Sequence, residues 1–116
     1  MEDIDLIYYN NYGTSFYLKR CTVTELNKIQ LVFNKVAFLI TKEELFHLKN
    51  TIKSSISVLE QVNNFKDKQS SIEIILEINH KEIHVNLSEI NAFDELINGT
   101  LFFINFEKVM NNLLSV

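Results

Sequence analysis

Apolar residues recur at steps of three and four between Thr41 and Val62, a spacing that predicts a long amphipathic helix. The apolar stripe consists of Leu45, Leu48, Ile52, Ile56 and Leu59. Lys42, Lys49 and Lys53 fall off this stripe, so we expect them to face solvent. The predicted helix has one side for a core and one side for water.

The start of this helix carries a capping box. The Thr41 hydroxyl can accept a hydrogen bond from the backbone N–H of Glu44, and the Glu44 carboxylate can accept one from the N–H of Thr41. Asn63 and Asn64 are suited to a helix end, so the helix is expected to end near Val62.

Two apolar runs before the helix predict a hairpin. They are Ile29–Phe33 and Val36–Ile40, and they meet at Asn34 and Lys35. We expect a turn at these two residues, which leads the second strand directly into the capped helix.

A further hairpin is predicted at each side of this unit. Near the N-terminus, Ile4–Tyr9 and Thr14–Arg20 flank a turn at Asn10–Gly13, where Gly13 and either asparagine are suited to positive φ. After the long helix, apolar and polar residues alternate over Ile72–Asn79, and a second strand follows at Glu82–Leu87.

The C-terminal third predicts two more helices. Ser88 can cap the first of them and Gly99 can end it. Asn105 can cap a last helix, whose expected buried side consists of Phe106, Val109, Met110, Leu113 and Leu114. The apolar run Leu101–Ile104 lies between the two helices and is either the closing element of the core or part of a dimer contact.

These elements predict an α+β fold in a single domain of residues 1–116. We expect an antiparallel sheet of about six strands, arranged as three hairpins, with the long helix and the C-terminal helices on one face. Shifting the chain on itself by 47 residues lays Thr41 on Ser88 and Phe46 on Phe93. This self-similarity indicates a possible ββα duplication, with chance similarity as the alternative.

Composition narrows the functional classes. The chain of 116 residues is 47% hydrophobic and has a net charge of −4, so it is expected to fold and not to bind nucleic acid by general phosphate contacts. No apolar run approaches the ~20 residues that span a bilayer. The acidic N-terminus does not resemble a secretory signal, and the single cysteine, Cys21, cannot form an internal disulfide. We expect a cytoplasmic protein with no membrane contact.

Part of the chain resembles a family of short bacterial proteins of unknown function. Members have an N-terminal hairpin, a cysteine pair, an Ile-Gln-Leu-x-Phe-x-Asn-Val stretch and a capped helix. The matching residues here are Ile29-Gln30-Leu31-Val32-Phe33-Asn34 with Val36, and Thr41-Lys42-Glu43-Glu44-Leu45. Thr24 stands where a partner of Cys21 would be needed, so a zinc site of the cysteine pair is not expected in this chain. The resemblance supports the predicted fold and leaves the function open.

No catalytic, cofactor or metal site is predicted. His80, Glu82 and His84 share one side of a strand, but four residues along a strand span about 13 Å, too far for one ion to join both histidines. Cys21 has no neighbouring base in the sequence, so a structural thiol is the better interpretation than a nucleophile.

Aromatic residues give the best functional lead. Exposed aromatic side chains are enriched in protein interfaces, and we predict a homodimer contact that includes Tyr8, Tyr9, Phe102 and Phe103. The favoured function is a small interaction or regulatory module, with a protein partner as a further option. The alternative is a small-molecule binding domain or enzyme with a pocket between sheet and helices.

Overall fold

The computed structural model describes residues 4–18, 28–65 and 73–114, and Cys21 and Thr24 lie outside these ranges. The described elements are β1 (Ile4–Tyr9), β2 (Gly13–Leu18), β3 (Lys28–Phe33), β4 (Val36–Thr41), α1 (Lys42–Phe65), β5 (Ile74–Ile78), β6 (Lys81–Val85) and α2 (Leu87–Leu114). This arrangement confirms the α+β class and the predicted three hairpins.

The six strands form two sheets, so the prediction of one six-stranded sheet is wrong. β1 to β4 form an antiparallel sheet in sequence order, and β5 pairs only with β6 in the part of the chain that is described. Side chains from the β5–β6 hairpin reach the edge of β4. Asn79 Nδ2 donates to the Leu39 carbonyl at 3.0 Å, and Lys81 Nζ donates to the Ala37 carbonyl at 2.7 Å. These side chains occupy acceptors that a fifth strand would need.

The turns show how asparagine replaces glycine in this chain. Asn34 and Lys35, and again Asn79 and His80, hold positive φ in two-residue hairpin turns. Gly13, Asn10 and Asn11 do not, which corrects the prediction of positive φ in the first turn. The Asn10 side chain organises that turn instead, because its Oδ1 accepts from the N–H groups of Tyr12 and Gly13 at 2.9 and 3.0 Å.

Both helices begin with a capping box. The N–H of Glu44 donates to Thr41 Oγ1 at 3.1 Å and the N–H of Thr41 donates to Glu44 Oε1 at 2.9 Å, as predicted. In α2 the same pair of bonds joins Asn86 and Glu89, at 2.8 and 3.0 Å. The predicted cap at Ser88 is therefore wrong by two residues. The equivalent caps lie 45 residues apart instead of 47, and a duplication of the two ββα units stays a hypothesis.

Substitution of each cap tests these assignments. We expect Thr41→Ala and Asn86→Ala each to lower the free energy of unfolding by about 1 kcal/mol, since a backbone N–H loses its acceptor. Ser88→Ala, which removes an exposed hydroxyl within the helix, should change it by less than about 0.5 kcal/mol. Urea titration measures all three, and a Ser88→Ala loss equal to that of Asn86→Ala would contradict the assigned helix start.

α2 is one continuous helix, so the predicted break at Gly99 and the separate last helix are wrong. Gly99 lies within the helix, and its missing side chain leaves room for Tyr8 to pack closely against it. A Cβ atom at this position would lie 2.5 Å from a ring carbon of Tyr8, which rests on the helix there. The glycine that resembled a helix end in the sequence lets β1 approach α2.

The core lies between one face of the four-stranded sheet and the two helices. Its sheet residues include Ile7, Ile29, Leu31, Phe33, Phe38 and Ile40, and its α2 residues include Ile90, Phe93, Leu96, Ile97 and Leu101. The predicted stripe of α1 is buried except at Ile56, which is partly buried against the same core. Leu76, Ile78, Ile83 and Val85 add the inner face of the β5–β6 hairpin.

A buried hydroxyl pair fixes α2 on the sheet. Thr100 Oγ1 donates to the Leu96 carbonyl at 2.7 Å and lies 2.6 Å from Ser15 Oγ. Either hydroxyl can be the donor in this bond, and Ser15 Oγ can also donate to the Tyr8 carbonyl at 3.4 Å. Both side chains are fully buried, so this pair sets the position of α2 above β2.

Candidate interaction surface

α2 is packed into the core up to Leu101 and is mostly exposed after it. Up to that residue it buries one side against the sheet and α1. At the level of Asn105, Lys42 Nζ from the first residue of α1 donates to Asn105 Oδ1 at 3.1 Å. Beyond this level the apolar side chains of α2 are exposed. The prediction that Phe106 and the apolar residues after it form a buried side is therefore wrong.

We call the exposed apolar side chains of this segment the α2 outer face. They are Phe102, Phe103, Phe106, Val109, Met110, Leu113 and Leu114, and they are between 38% and 76% exposed. At 3.6 residues per turn all seven fall within an arc of about 140°. The core residues Phe93 and Ile97 point to the other side of the helix, so α2 has two apolar sides and the chain covers one of them.

A groove beside β1 continues this surface. It is lined by Leu6, Ile7, Tyr8, Tyr9 and Phe103 and has a volume of about 430 Å³. We call it the β1 groove. The ring centroids of Tyr8 and Phe103 lie 6.0 Å apart, and those of Phe102 and Phe103 lie 5.5 Å apart. Phe102 also stacks on Phe106 at 6.2 Å. Groove and helix therefore form one aromatic surface.

Hydrogen bonds hold the wall of the groove in place. The Tyr8 hydroxyl donates to Glu95 Oε2 at 3.0 Å, and this bond to a carboxylate raises the pKa of Tyr8, with smaller effects of burial and of the Glu95 charge in the same direction. Asn10 Nδ2 donates to Glu95 Oε1 at 2.8 Å and to the Ala92 carbonyl at 2.9 Å. The turn between β1 and β2 is thus hydrogen-bonded to α2. The groove is largely formed in advance of any contact.

β1 is an edge strand of its sheet and carries an irregularity. The pairing register with β2 shifts between Leu6 and Tyr8. This bulge places Ile7 in the core next to a half-buried Tyr8, while Leu6 and Tyr9 are exposed. Edge strands with exposed apolar residues are surfaces on which other chains dock. The outer side of β1 therefore belongs to the same candidate surface.

The four interface residues predicted from the sequence lie together here. Tyr8, Tyr9 and Phe103 line one groove, and the Phe102 ring contacts Phe103. Sequence reasoning missed Leu6 and the five apolar residues from Phe106 onward, because it assigned the latter to the core. The signal that could have found them is the continuity of α2, since one helix from Leu87 to Leu114 carries more apolar residues than one side can hold.

Polar chemistry is sparse elsewhere. His80, Glu82 and His84 are exposed on the β5–β6 hairpin, and residues 4–18, 28–65 and 73–114 contain no group of three or more side chains placed to hold a metal ion. A second groove of about 310 Å³ lies between α1 and β5 and has apolar residues and two serines as its lining. None of the described helices is long and apolar enough to cross a membrane.

Comparison with family models, with curated proteins and with solved structures finds no match for this chain. The role of the α2 outer face therefore has to follow from its own chemistry.

Proposed function

We propose that this protein is a small cytoplasmic interaction module that works as a homodimer through the α2 outer face and the β1 groove. One observation carries the proposal: seven large apolar side chains are exposed on one arc of a helix that already buries another side in the core. Burial of apolar surface is the main driving force of association. A chain that leaves such a surface uncovered favours contact with another protein surface over contact with water.

The size of the surface supports a specific contact. If a whole aromatic side chain buries roughly 150–250 Å², the exposed fractions leave roughly 700 Å² of apolar area on the α2 outer face. The largest apolar patch of a typical monomer covers about 300–600 Å², and each partner of a stable complex buries about 800 Å². The α2 outer face and Leu6 and Tyr9 of β1 together approach that second value.

The composition of the surface supports the same role. Three phenylalanines lie on the arc, and aromatic residues are enriched among the residues that dominate binding energies. The charged residues of this segment, Glu107 and Lys108, fall outside the arc. Phe106 lies between the stacked ring of Phe102 and Val109, near the centre of the exposed segment, where residues that dominate binding usually lie.

The alternative of a small-molecule pocket between sheet and helices has less support. Phe33 and Phe93 stack in that space with ring centroids 4.2 Å apart, and Ser15 and Thr100 are fully buried there and bonded to each other. The two grooves described above lie on the surface. A single cysteine fits the proposed cytoplasmic location, and relation to the short bacterial family remains part of the proposal.

Phe106→Asp tests the proposed contact. We expect the dissociation constant of the homodimer to rise at least tenfold, because a carboxylate then lies in the middle of an apolar contact, and tenfold corresponds to about 1.4 kcal/mol. Asn111→Asp is the matched control: it adds the same charge to the same exposed helix outside the α2 outer face. Sedimentation velocity over a concentration series measures both. Equal behaviour of wild type, Phe106→Asp and Asn111→Asp would contradict the proposal.

A further inference from the structure

We infer that the partner on the α2 outer face is a second copy whose α2 helix runs antiparallel to the first, an inference that rests on the proposed function and specifies its geometry. Four exposed residues carry it: Phe102, Phe106, Val109 and Leu113. Their steps of four, three and four are those of a coiled-coil interface, in which side chains pack as knobs into holes. We call these four residues the seam. Each residue of the seam faces the partner helix directly.

The seam has the same spacing in both directions. When two copies lie antiparallel about a two-fold axis between Glu107 and Lys108, Phe102 meets Leu113 of the second copy and Phe106 meets Val109 of the second copy. A two-fold contact requires such self-complementarity, because the same patch is used on both subunits. Because the steps of the seam are symmetric about its midpoint, every seam residue faces a seam residue of the second copy.

Side-chain size also favours the antiparallel direction. Antiparallel pairing sets each phenylalanine of the seam against a smaller aliphatic residue, so the four layers have similar volumes. Parallel pairing would set Phe102 on Phe102 and Phe106 on Phe106, and would leave Val109 opposite Val109 with less volume to fill the layer.

The flanks of the seam connect it to the β1 groove. Phe103 and Met110 follow the seam on one flank, and Phe103 is also a wall of the groove. In the antiparallel arrangement Leu113 of the second copy is level with Phe102, and Leu114 of the second copy is level with Leu101. They therefore lie beside the groove, where Leu6 and Tyr9 remain exposed. The two symmetric grooves would thus each receive the end of the other copy's helix segment.

Cysteine cross-linking tests the direction. In a Cys21→Ser background, one chain carries Phe102→Cys and a tag, and a second chain carries Leu113→Cys. A disulfide needs Cα atoms within about 7 Å. Antiparallel pairing places positions 102 and 113 of different copies opposite each other, whereas the two copies of position 102 are about 16 Å apart along the axis. The expected result after mild oxidation is a mixed disulfide from the mixture and no disulfide dimer from either variant alone.

Other outcomes separate the inference from the proposal on which it rests. Disulfide dimers of each single variant, with little mixed product, would overturn the antiparallel direction and leave the homodimer standing. Absence of every disulfide, together with a monomeric wild type whose sedimentation is unchanged by Phe106→Asp, would overturn both. Asn111→Cys, outside the seam, is the control that must not cross-link with Phe102→Cys, and thermal melting confirms that each exposed-site variant is folded.

Discussion

Phe93→Ala is expected to lower the free energy of unfolding by about 3–5 kcal/mol, the largest effect among our predictions. The Phe93 ring is fully buried and lies nearly parallel to the Phe33 ring, with centroids 4.2 Å apart and planes at 12°. Truncation removes the ring contact with Phe33 and leaves a cavity in the core that α2 and the sheet share. Because both rings belong to regular elements, the surroundings cannot collapse freely into that cavity.

Phe46→Ala is the matched control for this prediction. Phe46 lies on α1 and is 54% exposed, so its truncation should cost less than about 0.5 kcal/mol. Urea titration at one fixed protein concentration gives both values, since self-association would otherwise shift the apparent stability. Equal losses for Phe93→Ala and Phe46→Ala would show that the sheet and α2 do not share the core described here.

Gly13→Ala is expected to lower the free energy of unfolding by about 3 kcal/mol, at the upper end of overpacking effects. A Cβ atom on Gly13 would overlap the backbone carbonyl oxygen of Val32 in the neighbouring strand, and it would also lie 3.1 Å from Leu96 of α2. Backbone atoms within a paired sheet cannot rotate away. The strand pair β2–β3 would have to separate near Gly13 and Phe33.

Gly99→Ala is the comparison that identifies the cause. The three atoms nearest to a Cβ atom there all belong to the ring of Tyr8, a half-buried side chain that can shift by giving up its bond to Glu95, and alanine gains about 1 kcal/mol of helix propensity over glycine. We therefore expect a clearly smaller loss than for Gly13→Ala, measured by the same urea titration. A larger loss for Gly99→Ala would contradict the account of Gly13.

Features that depend on residues close together in the sequence were predicted well. The capping box of Thr41 and Glu44, the turn at Asn34 and Lys35 and the stripe of α1 depend on residues a few positions apart, and all three are present. The cap of α2 was misplaced because Ser88 and Asn86 are both good cap residues, and only Asn86 has Glu89 at the reciprocal distance.

The errors have long-range causes. Gly99 resembles a helix end in the sequence, but it is required by Tyr8, which lies 91 residues away along the chain. The number of sheets depends on side chains of Asn79 and Lys81 that occupy the edge of β4. The pattern of apolar residues alone does not distinguish a continuous helix at Gly99 from a helix break. It also does not distinguish two sheets from one continuous sheet.

Only part of the candidate surface could be predicted from the sequence, because the rest depends on where α2 lies relative to the other elements. The aromatic clusters around Tyr8 and Phe102 pointed to it, while the apolar residues after Asn105 were assigned to the core. An apolar stripe on a helix predicts a contact and does not say with what. Only the position of α1 and the sheet shows that this stripe lies beyond the core of its own chain.

Light scattering coupled to size exclusion, over a concentration series that spans the micromolar range, tests the central claim most directly. If the α2 outer face joins two copies, the wild-type mass is expected to reach twice the 13.6 kDa of one chain, and Phe106→Asp should return it toward 13.6 kDa while Asn111→Asp should not. A wild-type mass that stays at 13.6 kDa across the whole series would contradict the claim.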